Sequence, residues 1–404
     1  MHEPKRRGFA LAEKFEHEQE HCTMAQSGRF TPPPQQEVVY GKDVASALAE
    51  ELERRNAKRV VFVTNTSLTG PGGLGETVKA ALGKACVAQV SGIRAHSPRE
   101  DVIRMTNTLR DNDCDLVVAL GGGSVCDATK AACLALANSI TTANDIDKIR
   151  ITEKVLPATL PYIAIPTTLS AGEFTAYAGV TDERIPRKEA LFHASAAPDV
   201  VILDAAMTIA TPPRLFFGTG IRAVDHAVET WCSINVTPIT EASSLHALRI
   251  LPRALARAKS HPEDLDNRLD CLIGAWLSVQ GVSTGVDLGA SHGIGHVLGG
   301  TAGMPHGETS CVMLPHVLRY NFSVNGDRQT ILAEAMGDAK TSAADQIQAL
   351  VASLDLPGRL RDANVSRDIL PTIAEESMLD FWIPTNPRPI NGPEDVLPLL
   401  EAAW

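Results

Sequence analysis

The chain has 404 residues, 44% hydrophobic and 21% charged, with a formal net charge of −11. That length exceeds what one hydrophobic core usually serves, so two domains are expected in a soluble globular protein of ordinary composition. The acidic balance argues against a general nucleic-acid or anionic-membrane binder, and no apolar run reaches membrane-spanning length. Eight scattered cysteines without a CxxC pair speak for free thiols in a reducing cytosol and against a zinc knuckle.

Residues 1–28 lack an apolar signal core and alternate in charge, so they are expected to form a loosely ordered extension rather than an address. From Val38 the pattern is β/α alternation. Residues 43–55 have helical spacing through Val44, Leu48 and Leu52, and 59–64 (RVVFVT) is a continuous apolar run typical of a buried parallel strand. Helix is expected over 75–82 and 99–112, with a short strand at 87–90. A second buried strand, 115–120 (DLVVAL), leads at once into Gly121, Gly122, Gly123 and Ser124. Further strands are expected at 162–166, ending in Thr167 and Thr168, and at 200–204 (VVILD). Strands separated by helices imply a parallel sheet with crossovers.

After Asp204 the texture becomes amphipathic helix: 220–232, 241–258, 271–286, 329–336 and 343–354. The boundary falls near 205–214, around the Pro212-Pro213 breaker. The expected organisation is thus a flexible extension (1–28), an α/β dinucleotide-binding domain (29–207) and an all-helical domain (208–404).

GGGSVCDATKA after a strand is a glycine turn opening a helix. A helix N-terminus offers unpaired N–H groups and a positive dipole end, which together bind phosphate. The glycines would let a pyrophosphate approach, and Ser124 could cap the helix or donate to the ligand. The wording is neither GxGxxG nor GxxxxGK[ST]. A triple glycine alone is structural as often as functional, but Thr167 and Thr168 lie just past another strand's C-terminal end, where open α/β sheets bind ligands. Asp127 is a further cofactor-contact candidate, although dipole complementarity also explains it. Asn65, just beyond RVVFVT, is uncharged where a carboxylate would reject a 2′-phosphate, so NADH and NADPH both stay open.

The segment 291–316, SHGIGHVLGGTAGMPHGETSCVMLPH, holds four of the twelve histidines. His292 and His296 stand four apart, so on a helix they share one face. His306 follows in an expected Pro-His-Gly turn. Imidazole suits metal ligation or proton transfer near neutral pH. A solvated histidine-rich surface is the alternative, and the surrounding small residues (Gly293, Gly295, Gly299, Gly300, Ala302, Gly303) argue against it.

Five segments in order, 121–131, 165–175 (IPTTLSAGEFT), 197–204 (APDVVILD), 218–229 (GTGIRAVDHAVE) and 292–316, make the chain resemble the iron-containing (group III) alcohol dehydrogenases from about residue 30 onward. Within that family the wording is most similar to maleylacetate reductases. The resemblance implies a Rossmann-like parallel-sheet domain of the dehydroquinate synthase kind, then an all-α domain, with the site in the cleft between them. It also implies NADH or NADPH as cofactor, a small-molecule substrate and a homodimer. The family's metal site uses an aspartate, a histidine four residues later and two further histidines; His226, His292 and His306 match the three histidines. His296 matches the histidine near nicotinamide and substrate. Lys188 falls where relatives carry a lysine near the cleft, and a solvated loop lysine is equally compatible.

The aspartate is where this chain departs: four residues before His226 stands Arg222. Arginine has no acceptor lone pair and stays charged, so it cannot replace a ligating carboxylate and repels Fe²⁺ or Zn²⁺ nearby. Asp225 lies about 100° around the helix and substitutes poorly. Three histidines can hold zinc unaided, so metal loss is not compulsory. Maleylacetate reductases, as the resemblance implies, deliver hydride to the C=C bond of an enone dicarboxylate. Arg222 would then stabilise a developing enolate or grip a carboxylate; the alternative is an exposed helix arginine paired with Asp225 or Glu229. The expectation is an NAD(P)H-dependent reductase of a small carboxylated enone or ketone, working without metal, with His296, Arg222, His226, His292 and His306 at the chemistry. Alternatives are a metal-dependent alcohol dehydrogenase using the three histidines, a non-redox lyase or cyclase on the same fold, and a binding protein that has lost turnover.

Overall fold

Every residue of the apolar runs 60–64, 116–121, 162–166 and 200–203 is buried, as a strand covered on both faces requires. This computed structural model describes residues 30–35, 37–150, 154–184 and 187–404, so the expected extension 1–28 lies outside the described residues. In chain order the first elements are β1 (Glu37–Tyr40), α1 (Val44–Arg55), β2 (Val60–Thr64), α2 (Leu74–Leu82), β3 (Cys86–Val90), α3 (Arg99–Asp111), β4 (Leu116–Gly121), α4 (Gly123–Ala137), β5 (Tyr162–Pro166), β6 (Tyr177–Asp182), β7 (Arg187–Phe192) and β8 (Val200–Leu203). Six strands form one parallel sheet in the order β1-β8-β5-β4-β2-β3. Side chains alternate across it. Val61, Val63, Val117, Ala119 and Ala164 share a core with α3 and α4, while Val60, Phe62, Val118, Leu120 and Ile163 share one with α1 and α2.

The antiparallel hairpin β6–β7 was not expected, and it corrects the loop reading of Lys188, which pairs with Thr181 inside the hairpin. The Lys188 side chain itself lies outside the described residues. The hairpin is tied down by two buried cations. Lys130 of α4 donates from Nζ to the carbonyls of Gly172 (2.6 Å) and Tyr177 (2.8 Å). Arg99 of α3 pairs with Glu189, and with Asp147 at 2.6 Å.

Only helices follow β8 among the described residues: α5 (Pro213–Cys232), α6 (Pro238–Ser260), α7 (Leu265–Ser278), α8 (Gln280–Ser283), α9 (Ala290–Thr301), α10 (His306–Met336), α11 (Ala343–Ser353), α12 (Leu370–Ser377) and α13 (Pro393–Ala403). The α/β part is therefore followed by an all-α part, as expected. Three expectations need correction. The helix expected over 271–286 is broken at Val279, where the backbone opens to φ −91°, ψ 0°. The one expected over 329–336 is the end of α10, which bends at Asn325. His306 does not sit in a turn but is the first residue of α10, behind Pro305 as N-cap. α5 is buried on every side from Phe216 onward and packs against α6, α7 and α10, so charged residues on it face protein and not water. No helix among the described residues is long and apolar enough to cross a membrane.

Candidate active site

The glycine turn is tighter than its sequence suggests. Gly121 ends β4, Gly123 and Ser124 already belong to α4, and Gly122 alone is the N-cap. Ser124 is therefore not the cap; its Oγ accepts the main-chain N–H of His96 at 3.0 Å. No side-chain hydrogen bond caps α4, and an uncapped helix N-terminus is a place where an anion can bind. Thr167 N–H donates to the Gly121 carbonyl (3.0 Å), and a β-carbon on Gly122 would lie 2.9 Å from Thr168 Cγ2. A side chain at 122 would have to displace Thr168, and Gly121, Gly122, Gly123, Ser124, Thr167 and Thr168 are gathered at one place. Asn65 follows the neighbouring strand β2 at the same edge of the sheet, with its Oδ1 buried and unpartnered. Asp127 is half-buried on α4. Glu173 lines the same small cavity as Gly121 and Pro166, where burial pushes its carboxyl up to about 7.

The imidazole cluster is assembled from three helices. Arg222, Asp225, His226 and Glu229 all lie on α5 and are all buried. α9 brings His292 and His296, and α10 brings His306. The placement of His306 depends on glycine again: a β-carbon on Gly307 would stand 2.5 Å from the Gly218 carbonyl carbon, so α5 and α10 touch backbone to backbone. The rings of His226 and His292 stack at 4.8 Å, and those of His296 and His306 meet edge-on at 6.0 Å. Arg222 is not the exposed, paired arginine of the alternative reading. Its Nη1 donates to Ser310 Oγ at 3.2 Å and passes beneath α9, 3.5 Å from where a Gly295 β-carbon would be.

Asp225 and Glu229 support this cluster from behind. Glu229 accepts the N–H groups of Gly289 (3.2 Å), Ser291 (2.9 Å) and His292 (3.2 Å), and its Oε2 lies 2.7 Å from His292 Nδ1. Glu229 Oε2 and His292 Nδ1 share one proton across that contact, and with the proton on Nδ1 the lone pair of His292 lies on Nε2. Asp225 accepts the Ser291 hydroxyl at 2.7 Å. Burial raises both carboxyls above the usual range; Arg222 opposes this at Asp225 and the main-chain N–H groups oppose it at Glu229. Burial, reinforced by the Arg222 charge, holds His226 and His292 well below the ordinary imidazole value, so both are neutral. Burial also lowers Arg222 from its usual value, against the attraction of Asp225, Glu229 and Asp380.

His226 Nδ1 and His292 Nε2 are buried without a hydrogen-bond partner. With His306 they are the atoms that could ligate a metal. Asp225, Glu229 and His292 also bring one ligand atom each within 4.8 Å of one another, but that group turns its ligand atoms on itself through the Glu229–His292 contact.

Several residues at the site carry no sequence signal. His96 follows β3 in the left-handed region (φ 64°), as does Ser97 (φ 50°), a costly conformation for residues other than glycine. His96 joins the two parts of the site: its N–H reaches Ser124 and its ring lies edge-on to His306 at 6.1 Å. Segment 378–392, between α12 and α13, supplies Asp380 and Trp382. Their only hint in sequence is an isolated Asp-Phe-Trp far from the histidines.

Comparison with known proteins settles the family. The model described as iron-containing alcohol dehydrogenase matches residues 34–205, and that described as the C-terminal part of the Fe-containing alcohol dehydrogenase family matches 216–404. The chain belongs to the iron-containing alcohol dehydrogenase family. Dehydrogenase ALT3 of Alternaria alternata is 35% identical over 352 residues, 77% of this chain and 90% of that protein. Maleylacetate reductase 1 of Cupriavidus pinatubonensis is 26% identical, across 88% of this chain and 91% of that protein. The solved structure of 1,3-propanediol oxidoreductase superimposes with a TM-score of 0.86 at 26% identity, covering 93% of this chain and 100% of that one. This protein is thus an oxidoreductase of a family that uses NAD(P), usually with iron.

Proposed function

We propose that the chain is an NAD(P)H-dependent reductase of a small carboxylated enone or ketone, related in chemistry to maleylacetate reductase, and that it works without a bound metal. The observation that carries the reading is Arg222, buried with neutral His226 and His292 and donating to Ser310. A fixed cation at that point opposes a divalent ion and suits an anion. The bound nicotinamide would supply the hydride. The cofactor's pyrophosphate would lie on the α4 N-terminus beside Gly121, Gly122, Gly123, Ser124, Thr167 and Thr168, with Asn65 and Asp127 nearby. Arg222 and the neighbouring imidazoles would take the negative charge that develops on the substrate oxygen, or a substrate carboxylate. Lys188 is retained as a substrate-contact proposal from the family resemblance alone. The same reading includes a cytoplasmic homodimer of two-domain chains divided near residue 207.

The second reading is a metal-dependent alcohol dehydrogenase held by His226, His292 and His306. The unpartnered His226 Nδ1 and His292 Nε2 favour it. Elemental analysis after expression with added iron or zinc separates the two. We expect no stoichiometric metal in the wild type and a gain of metal affinity in Arg222→Asp, which restores the family's carboxylate. One tightly held metal per chain, with activity lost on chelation, selects the second reading. Absorbance of NADH and NADPH against a panel of oxo-acids and enones identifies the substrate; absence of any consumption points instead to a lyase, a cyclase or a binding protein.

A further inference from the structure

We propose that Asp380 fixes the protonation of His296 at Nδ1, so that Nε2 is the atom that exchanges a proton with the substrate oxygen. This rests on the reductase reading above.

Asp380 lies 84 residues from His296 in sequence, and its Oδ2 stands 2.8 Å from His296 Nδ1. Its other oxygen, Oδ1, accepts the main-chain N–H of Trp382 at 2.9 Å. The Trp382 indole in turn stacks on the His296 ring, with centroids 5.1 Å apart and planes 28° apart. The ring is therefore held at its edge and on its face. The segment can lie this close because position 293 is glycine: a β-carbon there would be 3.1 Å from Asp380 Oδ1 and 3.0 Å from Ile383.

A carboxylate accepts and cannot donate, so the contact requires a proton on Nδ1 and leaves Nε2 as the exchanging position. The His296 side chain is 30% exposed and can be reprotonated from solvent, whereas that of His292 is 0% exposed. In reduction, the substrate carbon accepts a hydride from NAD(P)H, which becomes NAD(P)⁺, and the substrate oxygen takes the Nε2 proton of the imidazolium. His296 is left neutral with Nδ1–H on Asp380, and solvent returns the proton to Nε2. Asp380 exchanges no proton itself; it is a positioning residue.

Asp380→Asn gives a sharp test. The Trp382 N–H still demands an acceptor, so the carboxamide oxygen stays with it and the NH₂ group faces His296. Nδ1 must then accept, and the proton moves to Nε2. We expect kcat to fall about a hundredfold, the scale of a general acid–base contribution, with KM and NAD(P)H affinity within about threefold. Asp380→Glu should recover part of kcat. Imidazole ¹⁵N spectra of the protein without cofactor, with His296 assigned by its loss in His296→Asn, should show Nδ1–H in the wild type and Nε2–H in Asp380→Asn. In the His296→Asn background, Asp380→Asn should cost no further turnover. An unchanged tautomer, or wild-type kcat in Asp380→Asn, overturns the proposal. The tautomer is read without turnover, so a switch in a protein that consumes no NAD(P)H would sink the reductase reading while upholding the Asp380 contact.

Discussion

Around Gly122 the close approach is made by main chain and small side chains, Gly121 to Ser124 with Thr167 and Thr168, just past two neighbouring strand ends. In the helical part it is made of imidazoles, a guanidinium and carboxylates that α5, α9, α10 and segment 378–392 bring together across long stretches of sequence. Under the proposed function, the first arrangement offers main-chain dipoles to the phosphates of the nicotinamide cofactor. The second offers charges and proton-bearing nitrogens that can be exchanged one at a time, and under the proposed function Arg222 is such an exchange. A change near Gly122 should act on cofactor binding, and a change in the cluster should act on turnover.

The largest expected effect tests the second half of that division. Arg222→Ala should lower kcat by two to three orders of magnitude, about 3–4 kcal/mol, as for a lost oxyanion donor, with NAD(P)H affinity unchanged. Arg222→Lys should recover only part, because a point charge lacks the planar fork. Wild-type kinetics in Arg222→Ala would reduce the residue to packing.

A buried acid on the turn side gives the next effect. The folded Glu173 carboxyl titrates at about 7, above the 4.5 of an unperturbed glutamate. The native state therefore keeps a proton that the unfolded chain releases. The stability this contributes is whole below about pH 4.5 and is lost as pH rises through about 7, up to about 3 kcal/mol. Glu173→Gln should match the wild type at pH 4.5 and exceed it at pH 8 in denaturant midpoint. Parallel pH profiles would mean that Glu173 is solvated and that the cavity beneath the turn is wet.

The smallest effect belongs to the turn itself. Gly122→Ala must push Thr168 aside, and we expect at least a tenfold loss of NAD(P)H affinity, about 1.4 kcal/mol, with kcat at saturating cofactor nearly unchanged. Adding Thr168→Ala should return part of that affinity. A loss confined to kcat would erase the division between the two regions.

The same contrast explains what the sequence disclosed. Strands β2, β4, β5 and β8 are legible because burial on both faces writes a continuous apolar run, and the glycine turn because it is contiguous. The edge strand β1 and the hairpin β6–β7 are half-exposed, so their runs are short and mixed. Pro-His-Gly reads as a turn, whereas Pro305 is the N-cap of α10 and Gly307 meets Gly218, so His306 is helical. Arg222 stands out only against the family pattern, four residues before His226. Asp380 and His96 were missed because no local spacing ties an aspartate to a histidine 84 positions away, or a left-handed His-Ser pair to a ring on α10.

Lys130 has a use outside catalysis. Its ammonium is closed in by the Gly172 and Tyr177 carbonyls, between α4 and the hairpin. An amine-modifying reagent should pass over it in the native protein while labelling exposed lysines, and should reach it only when α4 parts from β6. The rate at which Lys130 is acylated is then a clock for the opening of that layer. It can be read by mass spectrometry with no substrate in hand, and slowing of that clock by NADH or NADPH would report cofactor binding at the neighbouring helix end.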